Sequence, residues 1–397
     1  MKRRDLLKTL ATIPLAAQLG VAGRLYAATS GGPRCLVVFL RGGYDAASLL
    51  VPVSSEFYYK SRPNIAIPKP SEDLRSALPL DADWGLHPVL RESILPLYRN
   101  GQAAFLPFAG TEDLTRSHFE TQDSIELGQP LQGSRNFRSG FMNRLAAVVG
   151  GATPISLTDQ LPIVMQGEVQ VPNIALRSVG KPNVDARQSQ IIASMYGGTS
   201  LAAPVNEGFT VREDVSKQLI GEMESANRNA ITAKGFELEA RRIARLMRDK
   251  YTLGFVDVGG WDTHVGQGAS TGYLAGRFDE LGRGLAGFAD EMGPQWRDTV
   301  VVVISEFGRT FRENGNRGTD HGHGTVYWLL GGALRGGRVV GEQQKVEQAT
   351  LFQNRDYPVL NEYRAVLGGL FARLYGLRAE QVQKVFAQAQ ARDIGVV

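Results

Sequence analysis

Cys35-Leu36-Val37-Val38-Phe39-Leu40, followed at once by Arg41-Gly42-Gly43-Tyr44-Asp45, is the stretch from which the fold can be read. An unbroken apolar run with no polar alternation describes a strand buried on both faces, and such strands belong to parallel sheets covered by helices. Three further runs have the same form: Ala103 to Phe108, Leu253 to Val258 and Val300 to Ile304, each bounded by glycine or polar residues. Between them lie helical patterns. The longest is expected from about Val211 to Tyr251, where Val215, Leu219, Met223, Ala226, Ala230 and Ala233 recur at three- or four-residue spacing and Gly235 is placed to divide it. Others are expected from Gly272 to Met292, stopped by Gly293-Pro294, from Asn361 to Leu377 and from Ala379 to Ala391. Strands alternating with helices predict an α/β fold with a largely parallel central sheet. Residues Gly128 to Thr210 are richer in Gly, Pro, Asn and Gln, with short strand candidates at Leu161 to Met165 and Asn173 to Leu176. They read as an inserted subdomain or lid.

The chain has 397 residues, 43% of them hydrophobic and 21% charged, a globular balance with length for one large domain or two smaller ones. Its single cysteine, Cys35, excludes an intrachain disulfide and a thiolate-cluster metal site, so any bound metal must use histidine and carboxylate. Cys35 itself reads as a buried strand residue. Five basic residues (Lys2, Arg3, Arg4, Lys8 and Arg24) precede residue 28 with only Asp5 opposing them. The remainder is balanced, with 39 of the 44 basic and 39 of the 40 acidic residues, so no nucleic-acid surface is indicated.

That N-terminus reads as an export signal over residues 1–28. Arg3-Arg4-Asp5-Leu6-Leu7-Lys8 is a twin-arginine pattern, followed by a mildly apolar stretch from Leu10 to Gly23 and small residues at Ala27 and Ala28. The expectation is cleavage after Ala27 or Ala28, with the twin-arginine translocase as partner and a periplasmic or extracellular destination. An uncleaved anchor is the alternative, although the apolar stretch is shorter than the roughly 20 residues a spanning helix needs. No later segment is expected to span a membrane.

In an open parallel sheet, ligands bind beyond the C-terminal strand ends. There the sequence places Arg41 to Asp45, then Asp257-Val258-Gly259-Gly260-Trp261-Asp262-Thr263-His264, then Ser305-Glu306-Phe307-Gly308-Arg309-Thr310, and soon afterwards Asp320-His321-Gly322-His323. Imidazoles and carboxylates crowded into one cleft are most simply explained by a divalent cation, which would relieve their mutual repulsion. Asp45, Asp262, His264, Glu306, Asp320, His321 and His323 are the candidate metal ligands or their supports. Asp262 and His264, two apart, point to one side of an extended segment. Each also has a structural reading: Asp45 and Asp262 as turn or cap carboxylates, and the histidines as members of a glycine-rich surface loop. Glu306, at the end of a buried run, needs a cation or Arg309 to neutralise it. Arg309 could alternatively hold an anionic substrate. Ser117 reads either as a helix cap, with Glu120 completing a capping box, or as a nucleophile with His118 beside it. His87, in Gly85-Leu86-His87-Pro88, reads as a structural loop histidine.

Together these segments resemble the bacterial family of exported proteins catalogued as domain of unknown function 1501. The resemblance rests on the twin-arginine start, Leu40-Arg41-Gly42-Gly43-Tyr44-Asp45, Leu86-His87-Pro88, Arg116-Ser117-His118-Phe119-Glu120-Thr121-Gln122-Asp123, Gly260-Trp261-Asp262-Thr263-His264, Ser305-Glu306-Phe307-Gly308-Arg309-Thr310 and Thr319-Asp320-His321-Gly322-His323-Gly324. The family's fold looks similar to the alkaline phosphatase and sulfatase superfamily. That implies a three-layer sandwich over residues 29–397 and one or two divalent metals at the strand ends, transferring phosphoryl or sulfuryl groups. Asp45 would match the first-strand metal aspartate, and Asp262 and His264 the central ligands. Glu306-Phe307 stands where the superfamily commonly has Asp-His, which leaves His321 or His323 as the late histidine. Ser117, His118 and Arg309 are the expected catalytic residues. The resulting expectation is an exported hydrolase of phosphate or sulfate esters using zinc, manganese or calcium, with a small anionic ester or glycan as substrate. A non-catalytic periplasmic binding protein on the same fold is the alternative, and redox chemistry at an iron or copper centre is a third reading.

Overall fold

The run read as the central strand forms β1 (Arg34–Leu40), every residue of which is buried. The structure, a computed structural model, describes residues 32–175, 186–207 and 235–397. The export signal, Leu176 and the helical positions Val215, Leu219, Met223, Ala226, Ala230 and Ala233 lie outside the described residues. After β1 come β2 (Leu50–Pro52), β3 (Leu78–Pro79), β4 (Trp84–Leu86), β5 (Ala103–Gly110), β6 (Pro154–Ser156), β7 (Leu253–Val258), β8 (Thr299–Ser305), β9 (Thr325–Gly331), β10 (Arg338–Val339) and β11 (Asn361–Glu362). The main sheet has the order β10-β5-β9-β8-β1-β7-β6, with β11 also on β5, while β2, β4 and β3 make a small antiparallel sheet.

Side chains alternate across β1. Leu36, Val38 and Leu40 join one core with the helices Phe236–Asp249 and Tyr273–Met292, while Cys35, Val37 and Phe39 join a second with the helices Phe141–Val148 and Tyr363–Tyr375. Two cores on opposite faces of one sheet make three layers, and each fully buried Val, Leu or Phe stabilises the sandwich by roughly 1.5–3 kcal/mol. No described helix is long and apolar enough to cross a membrane.

Pairing register decides where the chemistry collects. Leu40 lies opposite both Val258 of β7 and Ser305 of β8, so three parallel strands end flush and release Arg41, Gly259 and Glu306 at one edge. The departure from an all-parallel sheet is β9, antiparallel to both β8 and β5. It starts at the edge where β8 ends, so the loop 306–324 turns back without crossing the sheet. Arg309, Asp320 and His321 on that loop therefore reach Asp262 and His264. Thr325 of β9 faces Ala109 of β5, which places the segment after β5 there as well.

Within the stretch expected as an insert, β6 and the helix Phe141–Val148 belong to the main body. β6 pairs with β7 in the central sheet, and Phe141, Met142 and Leu145 lie in the second core. Leu161 to Met165 is no strand: a 3-10 turn occupies Ile163–Met165. Asn173 makes only an isolated bridge with Ser156. The last helix stops at Val385, shorter than the periodicity suggests.

Candidate metal centre

Four side chains from three loops meet at the sheet edge. The segment after β7 supplies Asp262 and His264, the loop after β8 supplies His321, and the start of the helix His118–Leu127 supplies His118. One ligand atom from each of His118, Asp262 and His321 lies within 4.8 Å of the others. Asp262 approaches His118 Nε2 at 3.7 Å through Oδ2, and His321 Nε2 at 3.5 Å through Oδ1. Two ligands of one tetrahedral ion, each about 2.0–2.1 Å from it, stand roughly 3.3 Å apart, so these spacings fit a cation in the gap.

The other ring nitrogen of each histidine is anchored on an oxygen. His118 Nδ1 is 2.8 Å from Glu306 Oε1, His264 Nδ1 is 3.0 Å from Asp320 Oδ1, and His321 Nδ1 is 2.9 Å from the Arg116 carbonyl oxygen. All three partners are acceptors, so each Nδ1 carries the proton and donates. In a neutral ring so anchored the lone pair is on Nε2, and the three Nε2 atoms face Asp262, with Arg309 Nη1 3.5 Å from that of His264. His264 Nε2 is 3.0 Å from Asp262 Oδ1 and 3.1 Å from His321 Nε2, while His118 Nε2 is buried with no hydrogen-bond partner. Lone pairs turned on one another and on a carboxylate are repulsive without a cation between them, and an Nδ1 anchored on an acceptor is the usual arrangement of a metal-binding histidine. The donor set fits a divalent metal.

Electrostatics favours the same state. Burial raises the Asp262 carboxyl, but the Arg309 guanidinium outweighs it and holds the group below the usual carboxylate range. Burial, with the nearby Arg309 charge, lowers the His321 imidazole below its ordinary value. For Glu306, burial pushes upward, yet donation from His118, Gln122 and the Gly42 N–H keeps the carboxyl ionised, below its ordinary value.

Close packing holds the loops in register. Gly43 has φ +61°, and a Cβ there would stand 2.5 Å from the Phe307 ring. That ring is the floor beneath the imidazoles, with centroids 4.8 Å from His118 and 5.1 Å from His321. Arg116, a non-glycine residue at φ +52°, turns its carbonyl toward His321, and its guanidinium is held by the buried Asp356 at 2.7 and 3.0 Å. Such backbone costs about 1–3 kcal/mol and persists where its surroundings fix it.

The remaining sequence candidates lie in other settings. Asp45 is buried against Arg62, whose Nη1 and Nη2 donate to its oxygens at 2.5 and 2.9 Å, and it also accepts from Ser48 and Gln267. It is outside the cluster because its charge is already matched. His323 packs on Phe352, with ring centroids 5.1 Å apart, and burial lowers its imidazole to about 4. Asp320 is a support, accepting from His264 and from Asn314 Nδ2 at 3.0 Å. Glu306 stays ionised, held by hydrogen bonds from His118, Gln122 and the Gly42 N–H, and not by an ion pair with Arg309. The Arg309 side chain is fully buried, donating to the carbonyls of Gly42, Gly43, Trp261 and Thr319 and to Asp262, with Nη1 also 3.5 Å from His264 Nε2, so it has no free face for an anion. Ser117 precedes its helix without a side-chain cap bond, so the capping box does not form. His118 Nδ1 is committed to Glu306 and does not serve Ser117. His87 is structural: Nδ1 accepts from Val89 N–H and Nε2 donates to the Ala269 carbonyl.

Sequence reasoning missed His118 as a ligand, together with Arg116, Gln122 and Asp356 as supports. The signal was present for His118, since it follows a buried strand as Asp262 does, but the serine before it drew the reading toward nucleophile or cap.

The sequence matches the family described as "Protein of unknown function (DUF1501)" over residues 32–386. None of the curated proteins matches it. Among solved structures, the chain is similar to Ps i-CgsB in complex with k-i-k-neocarrahexaose, with 11% identity and TM-score 0.36 over 92% of this chain and 75% of that chain. It is also similar to a protein in the alkaline phosphatase superfamily from Vibrio parahaemolyticus, with 15% identity and TM-score 0.32 over 76% of this chain and 61% of that chain. A third is the lipoteichoic acid synthase LtaP from Listeria monocytogenes, with 9% identity and TM-score 0.40 over 92% of this chain and 76% of that chain.

Proposed function

The chain belongs to the DUF1501 family of proteins of unknown function, and we propose that it is an exported metal-dependent hydrolase of phosphate or sulfate esters. The observation that carries this reading is the convergence of three Nδ1-anchored imidazoles on one carboxylate at the edge where β1, β7 and β8 end together. His118, Asp262 and His321 would hold the cation, with His264 next to them as a fourth donor. Such an ion supplies Lewis acidity toward an ester oxygen and lowers the pKa of a bound water. Imidazole-rich donors suit zinc or manganese; calcium, which takes oxygen ligands, suits them poorly.

The chain's own groups have separable tasks. Arg309 holds Asp262 and the backbones of three loops in place. Asp320 keeps the His264 proton on Nδ1. Asp262, His264 and Asp320 have side chains 46, 42 and 51% exposed, so a small anionic ester or the end of a glycan reaches the cluster from solvent. With His118 committed to Glu306, Ser117 has no base to activate it, and water is the better nucleophile. Export by the twin-arginine translocase to the periplasm or beyond is part of the proposal, motivated by residues 1–28.

The test is hydrolysis of a panel of aryl phosphate monoesters, phosphodiesters and sulfate esters by purified protein with added zinc or manganese. Turnover that falls at least a hundredfold in Asp262→Asn and in His321→Ala is expected. Absence of turnover with every ester, in protein shown to contain metal, would instead support a non-catalytic binding protein on this fold.

A further inference from the structure

We propose that Glu306 is a positioning residue, which fixes the tautomer and orientation of His118 and does not bind the ion itself. The inference rests on the reading of the cluster as a cation site and assigns a task within it. Glu306 follows β8, and its side chain is completely buried. Its Oε1 accepts three hydrogen bonds, each 2.8 Å long: from the Gly42 N–H, from Gln122 Nε2 and from His118 Nδ1. Its Oε2 is 2.9 Å from Ser305 Oγ, whose one proton is shared with the Leu40 carbonyl oxygen at 2.6 Å. A carboxylate offers about four lone-pair directions in all, so the oxygen that meets His118 has none left for a cation.

The imidazole makes the complementary case. With Nδ1–H spent on Glu306, the free lone pair of His118 is on Nε2, the buried atom without a hydrogen-bond partner that stands 3.7 Å from Asp262. Phe307 packs against one face of the ring and His321 meets it edge to face at a centroid distance of 4.3 Å, which confines the ring plane. Glu306 therefore settles what packing alone leaves open: which of the two nitrogens carries the proton. The donors from Gly42 and Gln122 hold the carboxylate itself still, so the chain of contacts runs from the end of β1 and the helix His118–Leu127 through Glu306 to Nε2 of His118.

The test is zinc affinity, measured by competition with a chromophoric chelator on the full mature chain, for wild type, Glu306→Gln, His118→Ala and the double variant. Glu306→Gln keeps volume and an acceptor oxygen but removes the charge, and its affinity is expected to be about tenfold lower with stoichiometry unchanged. If Glu306 acts through His118, the substitution adds nothing further once His118 is alanine. Equal affinity of Glu306→Gln and wild type, or additive losses in the double variant, would overturn the assignment while leaving the cation site intact. A wild type that binds no zinc would overturn the cation reading and this assignment with it. Should Glu306→Gln not fold, the ring nitrogen chemical shifts of wild type provide the second measurement. A protonated Nδ1 on His118, with zinc perturbing Nε2, is expected; a protonated Nε2 would refute the proposal.

Discussion

Asp45 and Asp262 both follow a buried strand and a glycine pair, yet their surroundings give them opposite tasks. Asp45 is held by Arg62, both side chains at most 1% exposed. Burial raises its carboxyl, but the Arg62 charge and the hydrogen bonds from Arg62, Ser48 and Gln267 outweigh that and leave it below the usual value. A folded-state pKa below the unfolded value of about 3.9 means that the contribution to stability is complete above about pH 4 and is lost as pH falls through the folded value. Asp45→Asn leaves the Arg62 charge uncompensated and is expected to lower stability at pH 7 by about 3–5 kcal/mol in urea unfolding. The gap to wild type should narrow as pH drops below about 4, with zinc stoichiometry unchanged. Loss of zinc without loss of stability would return Asp45 to the ligand set. The sequence could not separate these aspartates. Arg62 is seventeen residues from Asp45, and no local pattern links them, whereas the Asp262–His264 spacing states its own geometry. For the same reason His264 and His321 were legible and His118, whose partner Glu306 lies 188 residues away, was not.

At the scale of elements, the loop between β8 and β9 is what gathers the site. Because β9 runs antiparallel, this loop needs neither a helix nor a crossing of the sheet, and Arg309 serves as its clasp. One planar guanidinium donates to carbonyls on the loops after β1, β7 and β8 and to Asp262, a set of directions that a lysine ammonium on a flexible stem cannot reproduce. Arg309→Lys is therefore expected to cost roughly 2–4 kcal/mol of stability, as loss of buried charged hydrogen bonds does, and to weaken zinc binding. Had Arg309 been a substrate-binding group, the same substitution would raise KM at constant melting temperature. The four buried apolar runs were readable as strands because their continuity leaves no other face to expose. β9 (Thr325–Gly331) was not among them, although it is buried throughout, and its antiparallel direction was not readable either, since a buried run looks the same in either sense. The Leu161 to Met165 turn misled because a short apolar segment fits a strand and a packed 3-10 turn equally well.

For the whole molecule, two cores on opposite faces of one sheet bring the C-terminal ends of β1, β7 and β8 to one level, so one edge gathers the candidate site. That edge was foreseeable from the order of strands and helices. The balance within it, three imidazoles anchored on Glu306, Asp320 and the Arg116 carbonyl around one exposed carboxylate, was not, because it depends on which atom each side chain meets. We take this balance to be built for a divalent cation. The measurement that tests it most directly is an anomalous difference map at the zinc absorption edge, from crystals of the protein grown with zinc. A peak is expected among His118 Nε2, His321 Nε2 and the Asp262 carboxylate, at about 2.0–2.2 Å from each ligand atom. A map with no peak at that position, or with zinc only on surface side chains elsewhere, would contradict it.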